Sequence, residues 1–408
     1  MRFVLVSTHI DQTTGYSKVS ANLLKQVATL SPKIKTYHFG FQRHPSRTGT
    51  RKAPDGVVQY DAAANEDPKE EGFGFNKIHE YLDMVNPDVV MIYNDPLIVY
   101  KFIEAMKIEP GKAPFKLWIY VDQVYGGIAQ PLIDKINQHA DRVYCFTESW
   151  KKMYLKYGGP TPDLRILGHA VDPSIFTSMN VEGRQSIRTN MNIPKDAIVF
   201  LNANRNSQRK RLDLSIMGFV RLLSRYPAAP YYMAMATNMN PNSGAYYDLN
   251  RIFQLELDDA GLDKLVYANR LMLIDTAPPN VISDETINQL YNATDIGLNT
   301  SDGEGYGLCQ LEHLYTGAPQ IVTDIGAYRS FLTEEETVFV KPGDRVYFAG
   351  NMPLGGYVPS FSPDALADAM SSMVATLPQK RAAIVDFNFK SWASVCDGWL
   401  EDLVAESK

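Results

Sequence analysis

The stretch "DGEGYGLCQLEHLYTGAPQIVTD", residues 302–324, follows the apolar run "DIGLNT" (295–300) and ends in a second one, "PQIVTD" (319–324). An apolar run, a glycine loop, a helical segment and another apolar run make a strand–helix–strand unit with parallel strands. The loop brings Gly305, Tyr306, Gly307 and Leu308 to a helix start, where the N–H groups of Tyr306 to Leu308 have no helical acceptors. Gly317 closes the helix. Glu304 stands at the loop tip, and Glu312 lies eight residues on, about one and a half turns into the helix. That spacing alone says little, because acidic residues are common in this chain.

The same alternation runs outward in both directions. "RFVLVS" (2–7), "IKTYHF" (34–39), "DVVMIY" (88–93), "KLWIYV" (116–121) and "RVYCF" (142–146) read as buried strands, separated by helical stretches such as "FNKIHEYLDMV" and "PLIDKINQHA". The pattern pauses at "ILGHAVDPSIFTSMN" (166–180) and restarts with "AIVFLNANRN" (197–206), "YYMAMAT" (231–237) and "RLMLI" (270–274). The expected fold is α/β with two doubly wound, Rossmann-like domains facing a cleft. Their expected bounds are 1–175 and 176–385, followed by a C-terminal helix, 386–408. Ligands of such sheets bind beyond the carboxyl ends of the strands. "GDRVYFAGNMPLGGYVPSF" (343–361) reads as an irregular surface excursion. Phe389, Trp392, Val395, Cys396, Trp399 and Leu403 form an apolar stripe at helical spacing.

Composition narrows the function. The 408 residues carry a formal net charge of -6, with 45% hydrophobic and 21% charged residues, which disfavours a general nucleic-acid binder. Three scattered cysteines without a C-x-x-C pair fit neither a disulfide framework nor a zinc site, so a reducing, cytoplasmic setting is expected. "MRFVLVSTHI" reads as a strand and not as a signal peptide. No apolar run of about 18 residues predicts a membrane span. Peripheral contact with a membrane stays open.

Three strand-to-helix turns carry candidate chemistry. In "TTGYS", Gly15 permits a tight turn at a helix N-terminus, suited to a phosphate or sugar hydroxyl or simply to a βα turn. In "NANRNSQRKRLDLSI" (202–216), Arg205 at the strand end and Lys210 near the helix start can converge on a diphosphate. Arg209 and Arg211 read as part of a solvated basic loop. In the third turn, Glu312 is placed to accept from vicinal ribose hydroxyls and Glu304 to face a sugar beyond the phosphates. The plainer alternatives are an acid complementing the helix dipole and an exposed helix position.

Residues 302–324 resemble the E-x7-E signature of retaining GT-B glycosyltransferases, glycosyltransferase family 4. "NRNSQRK" is similar to that family's Arg and Lys for the donor diphosphate, "HAVDPSIF" to its linker after the first domain, and Gly15 to its glycine after the first strand. The C-terminal Trp-containing helix, 386–408, is similar to the family's helix that packs back toward the N-terminal domain. The resemblance implies transfer of a sugar from a nucleotide-diphosphate donor to a glycan or glycolipid hydroxyl, with retention and without a covalent enzyme intermediate. It implies Glu304 at the donor sugar, Glu312 on the ribose, Arg205 and Lys210 on the diphosphate, and Gly15 close to donor or acceptor.

Two departures stand out. "WIYVDQVYGG" offers Asp122 where many family members carry a histidine near the reacting sugar; it either bonds a sugar hydroxyl or caps a helix. "HAVD" places His169 where asparagine is frequent, as linker or site. No D-x-D occurs, so Arg205 and Lys210 are expected to replace a metal, and no cofactor is implied. Asp284 could accept from guanine N1–H and N2–H, a slight lean to a GDP-sugar such as GDP-mannose, or it could simply start a helix. The loop 41–52, with Arg43, His44, Arg47, Arg51 and Lys52, reads as an exposed mobile loop or as a seat for an anionic glycan or lipid headgroup. A sugar-nucleotide epimerase and a catalytically silent sugar-nucleotide-binding subunit are the other classes compatible with these residues.

Overall fold

A computed structural model describes residues 1–30, 32–49, 51–158, 162–348 and 354–407, without the side chains at 47, 354 and 355. The chain divides into two compact units. One comprises Met1–Ala170, Tyr347–Tyr357 and Lys390–Lys408; the other comprises Val171–Val346 and Val358–Phe389.

The first unit contains β1 (Arg2–Thr8), β2 (Lys35–Phe41), β3 (Val57–Asp61), β4 (Val89–Asn94), β5 (Lys116–Val121), β6 (Gly127–Ile128), β7 (Arg142–Cys145) and β8 (Asp163–Ile166). All but β6 form one parallel sheet in the order β3-β2-β1-β4-β5-β7-β8. Helices cover both faces, so β1 and β4 are almost wholly buried and read as continuous apolar runs. Val4, Val6, Phe39, Phe41, Ile92 and Ile119 pack with Phe102 on one face. The alternate residues turn to the other face, where Phe3 meets Trp399 edge-on at 5.9 Å. Trp399 belongs to the C-terminal helix Trp392–Glu406, which buries Trp392, Cys396, Trp399 and Leu403. Tyr144 donates from its hydroxyl to Asp402 Oδ2 at 2.7 Å and ties that helix to β7. Phe389 does not start this helix, which is capped by Ser391; it packs on Tyr315 in the second unit.

The second unit holds β9 (Ile198–Asn202), β10 (Tyr231–Thr237), β11 (Leu271–Asp275), β12 (Ile296–Asn299), β13 (Gln320–Thr323) and β14 (Thr337–Val340). They form a parallel sheet in the order β11-β10-β9-β12-β13-β14. Asp295 anchors the entry to β12. It accepts from Arg184 at 2.6 Å, Arg381 at 2.7 Å, Arg188 at 3.2 Å and the Val199 N–H at 3.0 Å. Burial alone would raise its carboxyl pKa, but those cations and the Val199 N–H hold it below the ordinary value.

Each sheet changes winding direction next to its first strand, at β1 and at β9, the position where doubly wound sheets open their ligand crevice. Residues 343–361 depart from the expected irregular excursion. They contain β15 (Asp344–Phe348) and β16 (Leu354–Ser360), the latter pairing antiparallel with β6; residues 349–353 lie outside the description. The edge strands β3, β8 and β14 were not legible as strands. β3 and β8 mix charged and polar residues into half-exposed runs, which blurs the apolar signal. Among the described residues, no helix is long and apolar enough to cross a membrane.

Candidate active site

In the second unit, the carboxyl ends of β9 and β12 lie side by side and each ends in a buried asparagine, Asn202 and Asn299. The glycine loop after β12 folds back so that Glu304, 5% exposed, points into this corner. Lys210 donates from Nζ to Glu304 Oε1 and, at 2.8 Å, to Asn204 Oδ1. Ser301 Oγ donates to Glu304 Oε1 at 2.8 Å and Asn299 Nδ2 does so at 3.1 Å. Arg209 Nη1 donates to Glu304 Oε2 at 3.3 Å and to the Gly303 carbonyl at 2.6 Å. The Asp302 N–H donates to the Arg209 carbonyl at 2.8 Å, locking the two loops together.

The electrostatics follow from this geometry. Burial opposes the charge on Glu304, but Lys210 and Arg209 outweigh it and bring the carboxyl down to about 2. Burial lowers Lys210 to about 8; Glu304 opposes that shift and the neighbouring Arg209 reinforces it. Asp302 is pushed up to about 6 by burial, with Arg211 pulling the other way.

Gly307 starts the helix Leu308–Tyr315 with φ 102°. A Cβ there would collide with the Tyr328 ring, so the turn needs glycine for two reasons. Tyr306 stacks on Phe331 with ring centroids 5.0 Å apart, while Gly305 is buried and Leu308 half-buried at the helix start. Glu312 is not an exposed helix position. It is 2% exposed and accepts from the Tyr291 hydroxyl at 3.1 Å. Tyr291 lies on the helix Asp284–Ala293, whose first residue is Asp284 and whose cap is Ser283.

Sequence reasoning divided the cations differently. Arg209, read as part of a solvated loop, is half-buried on Glu304, whereas Arg205 is exposed. Arg211 is also held, by Asp213 at 3.0 Å. The polar residues Asn204, Asn299 and Ser301 at the strand ends were missed, as was Gln310 on the helix Leu308–Tyr315, which accepts from Asn299 Nδ2 at 2.9 Å. The available signal was a run of Asn and Ser directly after apolar strands, where buried polar atoms need a purpose.

The first unit supplies a second polar group. Gly15 is the first residue of the helix Gly15–Ala28 and is not in the left-handed backbone region. Tyr16 donates to Asp122 Oδ2 at 2.6 Å. Asp122 does not cap the next helix, which begins at Gln130 with Ala129 at its cap. His169 is buried among Phe146, Tyr120 and Trp392, and burial lowers it to about 3. Within the loop 41–52, Arg43 Nε donates to Asp11 Oδ2 at 2.8 Å, and Arg51 Nη1 donates to the Gln12 carbonyl at 2.6 Å. The His44 N–H donates to Gln12 Oε1 at 3.0 Å, while Lys52 is exposed. The Arg47 side chain lies outside the described residues. Among the described residues, no group of three or more His, Cys, Asp or Glu side chains could hold a metal ion.

The whole chain is similar to solved glycosyltransferase structures. A sucrose-phosphate synthase from Thermosynechococcus elongatus superposes with TM-score 0.72 at 15% identity over 100% of both chains. The chain has the GT-B fold. Anabaena HepE in complex with UDP and glucose gives TM-score 0.67 at 13% identity, over 99% of this chain and 100% of that one. A trehalose 6-phosphate synthase from Burkholderia multivorans gives 0.65 at 12% identity, over 99% and 97%. In sequence, 192 residues (46% of the chain) are 25% identical to a mannosylfructose-phosphate synthase of Agrobacterium fabrum, and the match spans 39% of that protein's length. No family model matches.

Proposed function

We propose that the chain is a retaining, metal-independent glycosyltransferase that moves a sugar from a nucleotide-diphosphate donor to a hydroxyl of a glycan or glycolipid. The observation that carries this reading is the buried cluster of Glu304, Lys210 and Arg209 at the carboxyl edge of the second sheet. Two cations and one carboxylate leave a local charge of about +1, so the corner still attracts an anion. Lys210 has three N–H donors, and only Asn204 and Glu304 accept from it among the described residues. The remaining donor suits a phosphate oxygen.

In this reading the C1–O bond to the diphosphate breaks as the acceptor oxygen approaches the same face. Negative charge grows on the departing phosphate, where Lys210 and Arg209, with Arg205 at the rim, stabilise it. Glu304 faces the sugar, whose oxocarbenium-like charge it balances, and Glu312 takes the ribose hydroxyls. The N–H groups at the start of the helix Leu308–Tyr315 add a fixed positive end toward the phosphates. The leaving phosphate takes the acceptor proton. Gly15 leaves room for substrate beside Tyr16, and Asp122 bonds a sugar hydroxyl.

Two observations bear on the base. Asp284 favours a GDP-sugar such as GDP-mannose, because guanine offers paired N–H donors. The HepE complexes with UDP and UDP-glucose, which share the fold, favour a UDP-sugar. A thermal-shift panel separates them: stabilisation by UDP with GDP inert selects the second. Activity is tested by incubating the protein with sugar nucleotides and following nucleoside diphosphate release with and without acceptors. Acceptor-dependent release supports transfer, isomerisation alone selects an epimerase, and binding without turnover selects a silent subunit.

A further inference from the structure

We propose that His9, oriented by Asp11, forms a subsite that accepts a hydrogen bond from a hydroxyl of the sugar acceptor. This rests on the transfer reading and names a residue for its acceptor side.

His9 is the first residue beyond β1, at the point where the first sheet changes winding direction. The loops after β2 and β5, which carry Arg43 and Asp122, leave the same edge because the strands are parallel. His9 Nδ1 lies 2.6 Å from Asp11 Oδ1, with side chains 8% and 11% exposed. A carboxylate only accepts, so Nδ1 carries the hydrogen and, in the neutral ring, Nε2 presents a lone pair. The Asp11 N–H lies 3.4 Å from Nδ1, too far to compete. Asp11 is fixed in turn by Gln12 Nε2 at 2.9 Å and by Arg43 Nε at 2.8 Å.

The ring itself has little room to turn. A Cβ at Gly40 would lie 2.5 Å from its Cδ2, and Ser17 Oγ donates to the His9 carbonyl at 2.8 Å. His38, whose ring centroid is 5.9 Å away, shows what a purely structural histidine does here. Both its nitrogens are engaged, Nε2 by Ser7 Oγ and Nδ1 by Gln59 Nε2, each at 3.0 Å. His9 differs: no described residue meets its Nε2. A histidine locked by a carboxylate, with its second nitrogen unpartnered at a strand-end edge, is built to hold an outside donor. A neutral polyol fits that requirement.

The test uses the full chain with His9→Ala, His9→Gln and Gly40→Ala, the last pushing the intact ring aside. With hexoses, hexose 6-phosphates and disaccharides as acceptors, the His9 variants should raise the acceptor KM at least tenfold. Gly40→Ala should raise it less, and nucleotide Kd should stay within twofold in all three. An acceptor KM within twofold of the parent in His9→Gln overturns the subsite, as does a parallel loss of nucleotide binding. If the parent transfers to none of these acceptors, the subsite is judged by saturation-transfer NMR on the same sugars. Sugar signals present in the parent and lost in His9→Gln support it; signals unchanged, or absent from the parent, overturn it.

Discussion

The ammonium of Lys210 and the carboxylate of Glu304, 94 positions apart in the chain, meet as an ion pair with side chains only 9% and 7% exposed. Taking two charges out of water is unfavourable unless each is well satisfied, and here Asn204, Asn299, Ser301 and Arg209 complete the set.

Glu304→Gln keeps the shape but leaves Lys210 beside Arg209 with no counter-charge. Breaking a buried pair costs about 3–5 kcal/mol, so the variant should melt well below the parent. A nucleoside diphosphate supplies the missing negative charge, and its stabilising shift in Tm should exceed the parent's. Turnover should fall at least ~100-fold. A smaller ligand-induced shift than the parent's would count against the diphosphate site.

Glu312→Ala removes the acceptor of the Tyr291 hydroxyl and, in the proposed reading, the ribose contact. Nucleotide affinity measured by calorimetry should drop about tenfold or more, as for loss of a charged hydrogen bond, while Glu304→Gln keeps at least the parent's affinity. If both variants behave alike in affinity and in turnover, the division of roles between the two acids fails.

Arg209→Met and Arg205→Met separate the buried cation from the exposed one. Arg209 touches Glu304 and Gly303, so its loss should reduce nucleoside diphosphate affinity about tenfold, whereas loss of the rim charge should cost only a few-fold. The reverse order would make Arg205 the principal phosphate ligand.

Gly307→Ala and Gly317→Ala both place a side chain at positive φ, 102° and 93°. Only the first also drives a methyl into Tyr328; at Gly317 the nearest atom is Ser178 Oγ at 3.9 Å. Gly317→Ala should cost about 1 kcal/mol, and Gly307→Ala at least twice that. Denaturant midpoints at constant slope provide the comparison.

His38, His169 and His313 are each lowered by burial from an ordinary value near 6.5 to about 3. The unfolded chain therefore binds protons that the folded chain refuses, and stability should fall as pH drops from about 6.5 toward 3. Each histidine contributes roughly 1.4 kcal/mol per pH unit in that window. Glu304, lowered to about 2, adds its own loss as pH falls below the ordinary carboxyl range. Lys210, lowered to about 8, acts at the other end: stability should rise as pH increases from about 8 toward its ordinary value. Urea midpoints across pH, with His169→Phe flattening part of the acid limb, check the assignment.

Sequence alone determined the α/β class, the doubly wound parallel halves and most central strands, because strands buried on both faces must be written as apolar runs. The glycine loop and its helix were legible for the same local reason, since a turn at Gly307 leaves a chemical mark on the chain. "KLWIYV" and "YYMAMAT" match β5 and β10 residue for residue. What only the tertiary structure decided was partnership across long separations. Among four cations in seven positions, nothing local distinguishes Arg209 from Arg205; folding the loop after β12 against the loop after β9 does. The three arginines gathered on Asp295 come from sequence positions 184, 188 and 381. The contrast between His9 and His38 likewise exists only once β1 and β2 lie side by side. Backbone preferences are written residue by residue, whereas the charge a buried side chain keeps depends on which distant groups share its low-dielectric surroundings.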